Sequence, residues 1–184
     1  VEFLVVPKEH FDLDYCGSNG IKVTPNVKGK EADVRVQTYL KGVTDVVVKV
    51  KLLDADKNVV AEGEGTDVTL HVANPHLWNG LADPYLYTVT ATLVKNGKAV
   101  DEVSSACGIR SIHFDPKTGF YLNGKSYPLH GVSRHQDWKA IGNAINHDNM
   151  DLDMELIKEI GANTIRLAHY QHDQYFYDLC DKVG

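Results

Sequence analysis

Along the first 106 residues the hydrophobic positions recur with period two. In Val46-Val47-Val48-Lys49-Val50-Lys51-Leu52, one face carries Val46, Val48, Val50 and Leu52, and the lysines fall on the other. Val68, Leu70 and Val72 alternate with Thr69 and His71, and Tyr87, Val89, Ala91 and Leu93 alternate with Thr88, Thr90 and Thr92. Alternation at this spacing places apolar side chains on one face of a half-buried strand. It predicts seven short strands, over 21–24, 33–41, 45–53, 58–63, 67–73, 86–94 and 99–106. Turn chemistry separates them, at 54–58, at 63–67 and at Asn96-Gly97. An Asn-Gly pair tolerates the positive φ angles of a tight hairpin. Residues 1–106 are therefore expected to form an immunoglobulin-like β-sandwich. The Cys…Trp…Cys spacing of an antibody domain is absent.

The period changes after residue 107. A hairpin is expected from Ile109–Phe114 and Phe120–Leu122, followed by a second Asn-Gly turn at Asn123-Gly124 and a strand over Tyr127–Val132. Asp148 is placed to cap a helix running to Ile160, with Leu152, Leu156 and Ile160 as its buried stripe and Met154 and Ile157 beside them. Gly161 supplies a left-handed stop. A second strand, Asn163–Leu167, precedes a second helix marked by Phe176, Leu179, Cys180 and Val183 at i, i+3, i+4 and i+7. Strand, helix, strand, helix reads as a parallel α/β unit. The expected fold is thus an all-β immunoglobulin-like sandwich (1–106) followed by a truncated α/β segment (107–184), the first two βα units of a (β/α)8 barrel. A complete barrel takes about 250 residues, so roughly a quarter of one is expected here. The opening Val1-Glu2-Phe3-Leu4-Val5-Val6-Pro7, a strand-like run without an initiator Met or a signal peptide, fits an internal piece of a longer chain.

Composition alters this picture little. The 184 residues hold 19 basic and 25 acidic side chains, a net charge of −6, which argues against nucleic acid as a partner. No apolar run approaches the roughly 18 residues of a membrane helix, so no membrane partner is expected. Cys16, Cys107 and Cys180 are an odd number at wide spacings, and they read as three half-buried thiols. The compartment, cytoplasm or periplasm, is left open.

Barrel folds carry their chemistry at the C-terminal ends of the strands. The first strand ends in Ser133-Arg134-His135-Gln136-Asp137 and the second in Arg166-Leu167-Ala168-His169-Tyr170. Such Arg, His and Asp side chains suit a ligand rich in hydroxyls, because charged partners strengthen each hydrogen bond. His135, Asp137, Arg166 and His169 are therefore the candidate substrate-binding residues. The residues alone leave blander roles open: core histidines for His135 and His169, a structural ion pair for Arg166, a loop cap for Asp137, and packing for Trp78. His169 and His172, three apart, lack a third ligand with metal-site spacing, so no metal is expected in this chain. Hydrolysis of a glycoside by the retaining route needs two carboxyl groups about 5 Å apart. Asp148, Asp151, Asp153, Glu155, Glu159, Asp173, Asp178 and Asp181 fall on helices or their caps and read as solvated faces; only Asp137 stands at a strand end. No catalytic pair is expected in this chain.

The run Asn163-Thr164-Ile165-Arg166-Leu167-Ala168-His169-Tyr170, with Tyr175–Gly184, resembles the first signature of the family 2 glycoside hydrolases. Phe120–Lys125 and Leu129–His135 resemble the approach to that family's barrel, and Leu77-Trp78 with Pro84–Tyr87 resembles its late sandwich strands. The resemblance implies a β-galactosidase, with β-glucuronidase and β-mannosidase as alternatives within the family and an immunoglobulin-like binding module as the alternative outside it. It implies a β-galactoside substrate for the parent protein, with His135 and His169 lining the galactose subsite, Arg166 close to the nucleophile and Asp137 contacting substrate. It also implies that the acid/base, nucleophile and magnesium-site glutamates lie beyond Gly184, so that this chain is inactive alone and without a cofactor of its own. The sequence departs from the pattern at Gln171-His172, where a proline usually follows the tyrosine. Open strand edges and uncovered helices further predict that the chain associates with itself.

Overall fold

The computed structural model describes residues 3–184. It divides into two compact units: the chain up to His76 with Tyr85–Arg110, and Leu77–Pro84 with Ser111–Gly184.

The first unit is a two-sheet antiparallel sandwich. Its strands are β1 (His10–Phe11), β2 (Ile21–Lys28), β3 (Glu31–Thr38), β4 (Leu40–Lys41), β5 (Val47–Leu53), β6 (Val59–Glu64), β7 (Asp67–Ala73), β8 (Tyr87–Lys95) and β9 (Lys98–Cys107). One sheet has the order β2-β3-β7 and the other β6-β5-β8-β9, while β1 and β4 form a small pair. The inward positions are those the alternation predicts: Val34 and Val36, Val48, Val50 and Leu52, Leu70 and Val72, and Val89, Ala91 and Leu93 are all buried. Asn96 and Gly97 both take positive φ between β8 and β9, with Lys95 paired to Lys98, as an Asn-Gly hairpin requires.

Two expectations for this unit need correction. The first strand does not end at Thr24 but runs on through Pro25 to Lys28. It is an edge strand, paired to β3 alone, so the N–H that proline lacks is missed by no neighbour. Residues 3–7 form no strand; Val1 and Glu2, where that run begins, lie outside the described residues. The thiols also differ from one another: Cys16 is exposed, Cys107 buried and Cys180 half-buried, and none of the three is in a disulfide.

The second unit opens with the 3-10 turn Gly80–Ala82 in its Leu77–Pro84 segment. Then come β10 (Ile112–Asp115), β11 (Gly119–Leu122), β12 (Lys125–Ser126), β13 (Gly131–Arg134), α1 (His147–Glu159), β14 (Thr164–Leu167) and α2 (Gln174–Val183). The expected boundary at 106/107 falls just before this unit's main segment, and Trp78 belongs to this unit, donating Nε1–H to the Asp181 carbonyl at 2.7 Å. Strands β10, β11 and β12 form an antiparallel sheet, and β13 pairs in parallel with β14, Ser133 opposite Arg166. A parallel pair needs a crossover between its strands, and α1 provides it. The first of these strands is shorter and later than expected: Tyr127–His130 is irregular, and pairing starts at Gly131. A Cβ at Gly131 would collide with Thr164 on the facing strand, so the close approach of the two strands depends on this glycine.

Helix α1 departs from expectation at its start and on its buried face. Its cap is Asn146, not Asp148: the Asn146 side chain accepts the Asn149 N–H, and the Asn149 side chain accepts the Asn146 N–H in return. That reciprocal box satisfies two otherwise orphaned donors. Asp148 lies one step inside, where its charge still complements the positive helix end. The buried stripe is Met150 and Met154, with Ile157 packed against them, while Leu152, Leu156 and Ile160 are exposed. Period alone offers both stripes. Asp153 decides between them, because its carboxylate is held by Arg134 and turns that side of the helix inward. Helix α2 has the predicted stripe: Phe176 is fully buried, and Leu179, Cys180 and Val183 pack on the same cluster. Among the described residues no helix is long and apolar enough to cross a membrane.

Candidate functional site

The β13–β14 pair has two different faces. Ile165 and Leu167 of β14 and Arg134 of β13 turn toward α1 and α2. On the opposite face the alternating positions, Ser133 and Arg166, are exposed. Such strands usually present aliphatic side chains on both faces, so a polar outer face points to a ligand.

Three of the four candidate residues meet on this face. Arg166 donates from Nη2 to Nδ1 of His169 at 2.9 Å and from Nη1 to the Ser133 hydroxyl at 3.4 Å. The rings of His135 and His169 stand edge-to-face, with centroids 5.5 Å apart. Because Arg166 only donates, Nδ1 of His169 must accept, and the ring proton sits on Nε2, free to donate to a hydroxyl. Both histidines are exposed, and Arg166 makes no ion pair among the described residues. Asp137 makes no hydrogen bond or ion pair with the other three among the described residues. It is exposed in the loop after β13, with no hydrogen bond or ion pair among the described residues, and it caps nothing there.

Beneath this face lies a second cluster that the sequence reading did not find. Arg134, 6% exposed, donates Nε–H to Asp153 at 2.8 Å and Nη1–H to Nδ1 of His172 at 3.1 Å, and its guanidinium carbon lies 3.9 Å from the centre of the Phe176 ring. Trp138 Nε1–H reaches the other Asp153 oxygen at 3.3 Å. His172 is 5% exposed, and burial, with Arg134 beside it, lowers its pKa below the ordinary histidine value. Its Nε2 is buried without a hydrogen-bond partner among the described residues. Several of the carboxylates expected to be solvated are engaged: Asp153 with Arg134, Asp151 with the Tyr175 hydroxyl at 2.7 Å, Asp173 as the cap of α2, and Asp178 with the Gln174 side chain at 2.8 Å. One signal was available. Arg134 is two residues after Val132, so strand parity turns it to the helix side, where a buried cation needs a carboxylate.

The loops after the two strands are tied together. The Tyr170 hydroxyl accepts the Gln136 N–H at 2.9 Å, and the Gln136 side-chain oxygen accepts the Asp173 N–H at 2.7 Å. His169 and His172 turn to different partners, Arg166 and Arg134. Among the described residues no group of three or more His, Cys, Asp or Glu side chains could hold a metal ion.

Known proteins share both units. The family model described as glycosyl hydrolases family 2 matches residues 19–110, and the model of that family's TIM barrel domain matches residues 116–184. A β-glucuronidase of Bacteroides fragilis is 40% identical, covering 94% of this chain and 27% of the relative. A β-galactosidase of Lactococcus lactis is 34% identical, covering 83% of this chain and 15% of the relative. The crystal structure of the FMN-binding β-glucuronidase from Facaelibacterium prausnitzii L2-6 superposes with a TM-score of 0.92 at 42% identity, covering 97% of this chain and 29% of that one. The chain spans less than a third of the length of each of these proteins.

Proposed function

Because this chain belongs to family 2 of the glycosyl hydrolases, we propose that it supplies the sandwich and the first barrel strands of an enzyme that removes terminal β-D-galactosyl groups. In this reading the outer face of β13–β14 is part of the wall that holds the sugar. The observation that carries it is the Arg166–His169 hydrogen bond with His135 edge-on beside it. One N–H of His169 is aimed by the guanidinium, and a pyranose offers hydroxyls at fixed angles to meet it. The hydrolytic step needs a carboxylate pair. Among the described residues no second carboxylate joins Asp137 at these strand ends, so this chain orients sugar and leaves bond cleavage to groups of an enzyme with its relatives' length.

A β-glucuronide is the second reading. Two of the similar proteins above carry that name. Arg166 also meets no carboxylate among the described residues, which leaves its charge available to an acidic sugar.

Ring-proton NMR on the 184-residue chain separates the two readings. Galactose is expected to shift the His135 and His169 signals, weakly and saturably, while glucuronate leaves them in place. The reverse order supports the glucuronide, and no shift with either sugar overturns the sugar wall. The chain alone is expected to release no nitrophenol from either nitrophenyl glycoside.

A further inference from the structure

The buried cluster and the sugar-facing histidines are joined by an unbroken row of rings. His172 lies 5.0 Å from Tyr170, Tyr170 lies 6.1 Å from His135, and His135 lies 5.5 Å from His169, measured between ring centres. Residues 169–173 are held by Arg166 on His169, by Arg134 on His172, and by Gln136 on Tyr170 and Asp173. We propose that Arg134 and His172 are positioning residues: their hydrogen bond holds the loop after β14, and with it His169 and Tyr170, in the sugar-binding arrangement while His172 is neutral, and releases it when His172 takes up a proton.

The chemistry at the pair is determined by its donors. Both groups cannot donate at once, so the bond at 3.1 Å exists only while Nδ1 of His172 keeps its lone pair. A proton from solvent that adds to Nδ1 breaks the bond and sets a second cation against Arg134. The groups facing His172 do not soften this. They are Arg134 from β13, His135 just beyond that strand, Tyr170 in its own loop, the Ala168 carbonyl and Phe176 of α2. The one carboxylate in the cluster, Asp153 of α1, is taken up by Arg134 and Trp138. Behind Arg134 stands Cys180, whose burial pushes its thiol up to about 11 and keeps it neutral. A protonated His172 has no anion of its own to turn to, so the loop must move to let it reach water.

This inference rests on the proposed sugar wall only for what His135 and His169 touch; the coupling itself needs no sugar. The test follows histidine and tyrosine ring signals of the whole chain from pH 7.5 to pH 5. His172 is expected to titrate below the ordinary value of about 6.5, and the His169 and Tyr170 signals to bend a second time at the His172 midpoint. His172→Gln, whose side-chain oxygen can still accept from Arg134, should abolish that second inflection and leave only the first in both signals. His172→Phe, which cannot accept, should hold them displaced at every pH. A wild-type His172 that titrates at 6.5 or above, or His169 and Tyr170 signals with one midpoint that His172→Gln leaves unchanged, would overturn the proposal. The wild-type titration decides by itself if a variant does not fold. Galactose added at both ends of the pH range should bind several-fold more weakly at pH 5 in the wild type, and His172→Gln should make that fall smaller. An intact second inflection with no galactose effect at any pH would sink the sugar wall and leave the coupling standing.

Discussion

The sandwich unit and the βα unit bury their side chains on different terms. In the sandwich, β3, β5 and β8 each have a neighbour on both sides and send an unbroken row of aliphatic side chains inward, with Val34, Val50, Leu52 and Leu93 wholly buried. Its charged pairs, such as Lys28–Asp33 and Arg35–Asp67, lie at the surface and decide little. In the βα unit, β13 and β14 have only each other, the helix-side core gathers around Met150, Met154 and Phe176, and a guanidinium is buried next to that core. A large aliphatic core is indifferent to pH and loses stability in proportion to the volume removed. A small core around a buried charge is sensitive to both volume and protonation.

Side-chain truncation should expose this contrast most strongly. Phe176→Ala removes both the centre of the small core and the ring beneath Arg134, a change that costs about 3–5 kcal/mol. It is expected to abolish cooperative unfolding of the βα unit while the sandwich transition stays in place. Leu52→Ala, at about 2–5 kcal/mol, should lower the denaturation midpoint of the sandwich without eliminating its transition. Urea titrations read by ring signals of each unit measure both, and equal behaviour of the two variants would erase the distinction.

Acid should separate the units next. The pKa of His172 is lowered in the fold, so the unfolded chain binds the proton more readily, and stability rises with pH across the interval between the two values. The contribution is complete above the unfolded value of about 6.5 and is lost as pH falls below it. Thermal unfolding followed at pH 7 and pH 5 is expected to show a drop for the βα unit that His172→Gln flattens. A pH-independent βα transition in the wild type would remove the buried cluster from the account.

The sandwich could be read from the sequence because one variable, alternation, specifies both the strand and its buried face. The expected end at Thr24 falls short because Pro25 lies on an edge strand, where a missing N–H breaks no ladder. The βα unit was readable in its order of elements but not in the rotation of α1, where two apolar stripes compete and a tertiary contact, Arg134 with Asp153, selects one. At the candidate site, His135, Arg166 and His169 could be placed because a strand end and a short turn put them there. For Asp137 spacing reveals less, since a loop residue's direction is set by its neighbours. The burial of His172 was not legible for a related reason: a histidine in a loop carries no periodic signal, and its partner is Arg134.

Hydrogen exchange offers a gentler measure. Opening free energy follows buried contacts, so amides of β3, β5 and β8, paired on both sides, should exchange far more slowly than those of β13 and β14. Uniform protection across both units would show that the two-stranded pair is held by something other than its own ladder and the helices behind it.

The smallest effect concerns the face of α1 that its rotation leaves uncovered. Leu152, Leu156 and Ile160 are 41%, 51% and 67% exposed, and at i, i+4 and i+8 they form one continuous apolar strip. Contiguous apolar surface of this kind marks a site of association, and the unpaired edges of β13 and β14 add backbone groups able to recruit another chain. The isolated chain is therefore expected to associate with itself, with a light-scattering mass above the monomer that falls on dilution. Leu152→Lys with Leu156→Lys should return it to the monomer. Because both positions are largely exposed, the same pair of substitutions should move the unfolding free energy by only about 0.5 kcal/mol each. The two readouts pull apart by design: loss of association with unchanged stability assigns the strip to contact between copies. A strict monomer before substitution would mean that the strip is covered by nothing, and a large fall in stability after it would mean that the strip belongs to the core.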